Sequence, residues 1–264
     1  MSKDKIAAQM YTVREHTCSA EELAETLKKI SDIGYTAVQM SAIKAMKGDN
    51  PEVSASEAKK MLDDNGLQCI ATHRPWDSLL ENTELEIEFH QQLGCDFAAI
   101  GGIPKDAYGD TEEGYRRFLQ DASQVISKLK QAGIRFGHHN HAREFVRIKD
   151  GRWLEEILID EGGPDLMLEL DLYWVEHAGV NCLKVLEKSH GRVPVIHLKD
   201  KEVVAEEKEP VMAPIGEGNM DWDEIIPACE QAGVRWYAVE QDVCRRDAFD
   251  CLKASYDFLR GKGL

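Results

Sequence analysis

The sequence predicts an eight-stranded α/β barrel, (β/α)8, as one domain over residues 1–264. Three observations lead there. A unit of amphipathic helix, glycine and short apolar strand recurs six times along the chain; with an opening strand and one more after "DEGG" the strands number eight; and no linker or low-complexity segment divides them. A length of 264 residues suits a single barrel of this kind.

The opening strand is "IAAQMYTV", and the recurring unit comes after it as "LKKISDIGYTAVQMS", "KKMLDDNGLQCIATH", "FHQQLGCDFAAIGG", "ISKLKQAGIRFGHHNH", "VLEKSHGRVPVIHLKD" and "IPACEQAGVRWYAVEQD". Its glycines, Gly34, Gly66, Gly94, Gly133, Gly191 and Gly233, fall where a helix end needs a left-handed backbone. With "PDLMLELDLYW" after "DEGG", the strands lie near 6–12, 37–41, 69–73, 97–102, 135–141, 166–173, 193–199 and 236–241. A doubly wound open sheet has the same alternation, but no GxGxxG follows the first strand and "AIGGIP" after the fourth is too short. The polar stretch 200–220 reads as a loop over the barrel mouth.

Composition narrows the function. A formal net charge of −16 argues against nucleic acid and anionic membrane as partners, since both are bound by Lys and Arg neutralising phosphates. A small neutral or cation-bridged ligand is expected, and self-association is left open. No apolar run approaches eighteen residues and "MSKDKIAAQM" has no signal-peptide core, so a cytoplasmic location is expected. Seven cysteines without a CxxC pair read as free thiols.

Barrels of this kind place chemistry at the C-terminal ends of the strands. Those ends are polar here: Gln9, Tyr11 and Arg14; His73, Arg74 and Trp76; His139, His141 and Glu144; Glu169, Asp171 and Trp174; His197, Lys199 and Asp200; Glu240 and Asp242. Period two puts His139 with His141, Glu169 with Asp171, and His197 with Lys199 on shared faces, and turns His138 and Asn140 the other way. A lone histidine in "VIHLKD" is more often a satisfied core residue, and Glu240 in "YAVEQD" reads alone as a solvated acid. Their conjunction makes Asp171, His197 and Glu240 the firmest ligands for a divalent cation. His139, His141 and Glu240 are candidate bases, and Lys199 a donor to substrate oxygen or a partner of Asp171 or Asp200. Gln9 and His73 are candidate substrate contacts, and Trp76 and Trp174 candidate walls for a ring.

The stretches "HHNHAREF", "ELDLYWVEHAG", "VIHLKDK", "IGEGNMDWDEII" and "YAVEQD" together resemble the xylose isomerase-like TIM-barrel sugar phosphate isomerases and epimerases. That group includes inosose isomerases and dehydratases and ketose 3-epimerases. The resemblance implies a metal-dependent isomerase or epimerase acting on a sugar or cyclitol hydroxy-ketone through an enediolate. One divalent ion is implied, Mn²⁺ foremost, with Co²⁺, Mg²⁺ or Zn²⁺ as alternatives. The family's Glu, Asp, His, Glu ligand order implies Asp171, His197 and Glu240 for the last three positions. The first is assigned to Glu144, with His139 or His141 as the alternative, because histidines stand where many epimerases carry the strand-five glutamate. Competing expectations are elimination on the same site, by inosose dehydration or 3-keto-glycoside cleavage, and a non-catalytic sugar-binding subunit. An endonuclease IV-like activity on DNA is opposed by the net charge.

Overall fold

The computed structural model describes residues 4–48 and 50–264. Eight parallel strands, β1 (Ile6–Gln9), β2 (Ala37–Met40), β3 (Gln68–His73), β4 (Phe97–Ile100), β5 (Arg135–His139), β6 (Leu166–Glu169), β7 (Val195–Leu198) and β10 (Trp236–Val239), lie in the order β6-β5-β4-β3-β2-β1-β10-β7. A parallel bridge from Asp171 to His197 closes the ring, with the His197 N–H donating to Leu170 at 2.8 Å. The result is a (β/α)8 TIM barrel. Six strands follow the unit glycines as expected, β1 and β6 lie in the two remaining segments, and all six unit glycines have positive φ, between 67° and 123°. Several strands stop short of the expected ends: the chain turns into 3-10 helix at Met10–His16 after β1 and at Ala142–Phe145 after β5.

Alternation sorts the strand residues into two cores. Inward positions Ala7, Ala37, Ala71, Ala99 and Ala238 cluster with Ile70, Phe97 and Val195 inside the barrel. At Gly137 a Cβ would lie 2.4 Å from the Phe97 ring, so this inward position has to be glycine. Outward residues such as Ile6, Val38 and Leu168 pack on the helices. Helix Glu112–Gln131 shows why: Tyr115, Phe118, Ala122, Val125 and Leu129 recur at three- and four-residue spacing and are all buried. One strand step above the alanine layer, the inward side chains become Gln9, Gln39, His73, His139, Glu169, His197 and Glu240, and all but His73 are buried.

The polar stretch after β7 contains a short antiparallel hairpin, β8 (Asp200–Glu202) with β9 (Val211–Ala213). Asp200 anchors the loop that leaves this hairpin. Its carboxylate accepts from the backbone N–H of Lys201, Gly216, Gly218 and Met220 and from the Trp222 indole, at 2.7–3.2 Å. A Cβ at Gly218 would fall 2.3 Å from that carboxylate, so the close approach depends on glycine. No helix among the described residues is long and apolar enough to cross a membrane.

Candidate active site

The polar layer at the C-terminal mouth forms one connected network. Donor atoms of Asp171, His197 and Glu240 lie within 4.8 Å of one another, as do those of His73, His139, Glu169 and His197. His197 belongs to both sets and ties them together. Its Nδ1 meets Glu240 Oε2 at 2.8 Å and its Nε2 meets Gln39 Oε1 at 2.8 Å. Gln39 in turn donates from Nε2 to Glu169 Oε1 at 2.9 Å, and His73 hydrogen-bonds the other Glu169 oxygen.

Lys199 lies buried among the carboxylates, its Nζ 2.8 Å from Glu240, 2.9 Å from Asp171 and 3.0 Å from Asp242. The two Asp171 oxygens are engaged differently: Oδ1 accepts from the Trp174 N–H at 3.3 Å, and Oδ2 faces the Lys199 ammonium. Asp171 is fixed through its backbone: Asn140 Oδ1 accepts from its N–H at 2.9 Å and Asn140 Nδ2 donates to its carbonyl at 3.2 Å.

These neighbours set the ionisation states. Burial would raise the Glu169 carboxyl, but His73 and His197 outweigh it and hold it at about 2. Glu240 is likewise lowered, because Lys199 and His197 overcome its desolvation. Burial would lower His197, yet Glu169 and Glu240 raise it to about 10, consistent with both ring nitrogens donating. His139 and His141 go the other way. Burial lowers both, helped by neighbouring cationic groups, and His141 falls to about 4. Asp171 is pushed up by burial to about 6 against the pull of Lys199.

The mouth holds a cavity of about 430 Å³ lined by Tyr11, His73, His139, His141, Trp174, Lys199, Glu240 and Asp242, among others. Eight of the site residues expected from the sequence therefore meet around this mouth: His73, His139, His141, Asp171, Trp174, His197, Lys199 and Glu240. Gln9 sits on the same inward layer, its Oε1 accepting from Tyr11 N–H at 3.0 Å while its buried Nε2 has no partner.

Two expected residues stand elsewhere. Trp76 is buried on the helix side, its ring 4.9 Å from Phe118 and its indole N–H donating to Tyr108 at 3.0 Å, so it is a core residue and walls no ligand. Glu144 turns away from the ligand cluster. Its carboxylate accepts from the His141 N–H at 2.8 Å and from Arg143 at 3.0 Å, capping its own 3-10 turn. The β5 side chain that faces Asp171 is His139, with Nε2 3.8 Å from Oδ2. Lys199 pairs with Asp171, as one expectation had it, and not with Asp200, which is committed to its loop. Gln39 is not among the residues expected from the sequence, because it carries no charge and sits in the unremarkable "AVQM"; its inward register beside Gln9 was the available signal.

An O/N donor set of two carboxylates and an imidazole, its donor atoms within 4.8 Å of one another, fits a hard or borderline divalent cation. Known structures share the architecture. A sugar phosphate isomerase/epimerase from Parabacteroides distasonis superposes with a TM-score of 0.80 at 20% identity over 98% of this chain and 94% of that one. An L-ribulose 3-epimerase gives 0.73 at 18% identity over 98% and 94%. IolI protein with a bound zinc atom gives 0.70 at 14% identity over 98% and 97%. No curated protein sequence matches the chain. The family model for the xylose isomerase-like TIM barrel matches residues 27–260, and the chain belongs to that family.

Proposed function

We propose that this protein is a divalent-metal-dependent isomerase or epimerase of a sugar or cyclitol hydroxy-ketone, working through an enediolate. The observation that carries the reading is the convergence of Asp171, His197 and Glu240 at the barrel mouth. These three would hold the ion, with His139 rather than Glu144 as the fourth group. A bound Mn²⁺, or Co²⁺, Mg²⁺ or Zn²⁺, supplies Lewis-acid polarisation of the substrate carbonyl.

The chain's own residues do the rest. Lys199 donates to a substrate oxygen and balances the carboxylates around it. His141, kept neutral by burial, offers a ring nitrogen to take the proton from the carbon beside the carbonyl, and His139, also neutral, can take that role only where the ion leaves it free. Gln39 and Asn140 hold His197 and Asp171 in place. Trp174, whose ring lies 5.7 Å from His141, walls the mouth.

Elimination is the second reading, and one feature favours it: the His139 and His141 rings stand edge to face at 4.9 Å. The imidazole that takes the carbon-bound proton can, so charged, hand that same proton to the leaving oxygen, while its neighbour stays neutral. Both readings support a small-molecule sugar or cyclitol as partner. The test is metal content of wild type, Asp171→Ala and Glu240→Ala, with product analysis on ketoses and inososes in D₂O. One ion per wild-type chain, lost in both variants, and solvent deuterium in the product are expected. A wild type that takes up no metal under replete conditions would overturn the reading in favour of a sugar-binding subunit.

A further inference from the structure

The barrel mouth presents no Lys or Arg with its charge free for a ligand. Among the described residues Lys199 is the one such cation that lines the cavity, and it is buried with three carboxylates at 2.8–3.0 Å. The arginines that follow mouth residues along the chain are engaged too. Beyond Tyr11, Arg14 donates to the carbonyls of Tyr11 at 2.8 Å and Asp242 at 3.2 Å, with Glu15 at 3.8 Å. Next to His73, Arg74 holds both Glu86 oxygens at 2.6 and 2.8 Å. Beyond His141, Arg143 reaches Glu144 at 3.0 Å and Asp110 at 3.3 Å, and beyond Asp242, Arg245 pairs with Glu202. Recognition of a phosphate or carboxylate rests on Arg or Lys donors that are free to form charge-assisted bonds.

The charged group that does open to the cavity is an acid. The side chains of Glu169 and Asp171 are fully buried and that of Glu240 is 5% exposed, whereas that of Asp242 is 23% exposed. Its two oxygens accept from Lys199 at 3.0 and 3.2 Å, and no other donor meets them among the described residues. A carboxylate has about four acceptor positions, so Asp242 keeps lone pairs for a ligand. It stands outside the Asp171, His197 and Glu240 set, with Lys199 bonded to both. An open carboxylate at a cavity wall accepts from a hydroxyl and repels an anion. The net charge of −16 acts in the same direction over longer range.

We infer that Asp242 determines specificity: its carboxylate accepts from a hydroxyl of an uncharged polyol ketone and rejects phosphorylated or carboxylated ones. This rests on the reading that the mouth binds a hydroxy-ketone, and it narrows the substrate class. The test is calorimetric titration of the Mn²⁺-loaded protein with D-fructose against D-fructose 6-phosphate and D-ribulose against D-ribulose 5-phosphate, with scyllo-inosose as the free cyclitol. Each free ketose is expected to bind at least about tenfold tighter than its phosphate, the scale on which like charges discriminate. That ratio should fall towards one in Asp242→Asn, which keeps the shape and removes the charge, with metal content at the wild-type level showing an intact site. It should also shrink as salt rises from about 0.02 to 0.5 M, a screening effect that a purely structural role would not produce. Phosphates that bind wild type as tightly as the free ketoses would overturn the inference and leave the hydroxy-ketone reading standing. A ratio unmoved by both Asp242→Asn and salt would remove Asp242 as its source. No binding of any free ketose or of the inosose would overturn the hydroxy-ketone reading and this inference with it.

Discussion

Strand β5 carries adjacent histidines into opposite surroundings. His139 points into the barrel mouth, within 4 Å of Glu169 and Asp171 and beside the His197 ring. His138 points outward between strand and helix, and neither of its ring nitrogens has a hydrogen-bond partner. Its nearest acid, Glu155, is fully buried with both oxygens unpartnered, at 3.7 Å. Burial pushes His138 down to about 3 and Glu155 well up, so this pair lies neutral. Lys199 and His197 at the mouth are as deeply buried, yet they stay charged because carboxylates surround them. Burial alone does not discharge a group. The deciding factor is whether opposite charges are within reach to offset desolvation.

Breaking the compensated face gives the largest expected effect. Asp171→Ala or Glu240→Ala should lower turnover by about 10³-fold or more, the several kcal/mol attributed to metal-ion catalysis. Metal content should fall with it. Next comes Gln39→Ala, which removes the bridge between Glu169 and His197. Metal affinity should weaken by about 10–100-fold, as for other groups that orient ligands, which Mn²⁺ titration would measure.

The uncompensated face predicts the opposite sign. Glu155→Gln should stabilise the fold at pH 7.5, because the variant no longer has to take up a proton at this buried site on folding. The folded protein holds the Glu155 proton that the unfolded chain releases near pH 4.3, so wild-type stability falls as pH rises from there through the raised folded value. The variant's advantage should grow from pH 5 to pH 7.5 in urea titrations, and a variant less stable than wild type at pH 7.5 would show that Glu155 is satisfied. Smallest is Ala42→Gly, which relieves a left-handed alanine and should add up to about 1 kcal/mol.

The barrel was legible because period two and the helix-ending glycines are local signals, and each found its place. Asp171, His197 and Glu240 were legible too, since charged residues at strand ends stand out. Glu144 and Trp76 were misplaced for one reason: both lie past a strand end, where alternation no longer says which way a side chain turns. The 3-10 turn after β5 takes Glu144 back onto its own backbone, and helix Trp76–Glu81 takes Trp76 into the outer core. Gln39 was hidden by the converse problem: it sits squarely in a strand but carries no charge to mark it.

The alanine layer beneath the mouth separates two duties along the barrel axis. With the alanines, Phe97, Ile70 and Val195 fill the barrel interior; above them the inward side chains are Gln9, Gln39, His73, His139, Glu169, His197 and Glu240. A change at Glu240 takes one compensating carboxylate from Lys199 and His197 and leaves the packing of the alanines beneath it as it was. The groups that react and the groups that fill the barrel therefore occupy different levels of the same strands.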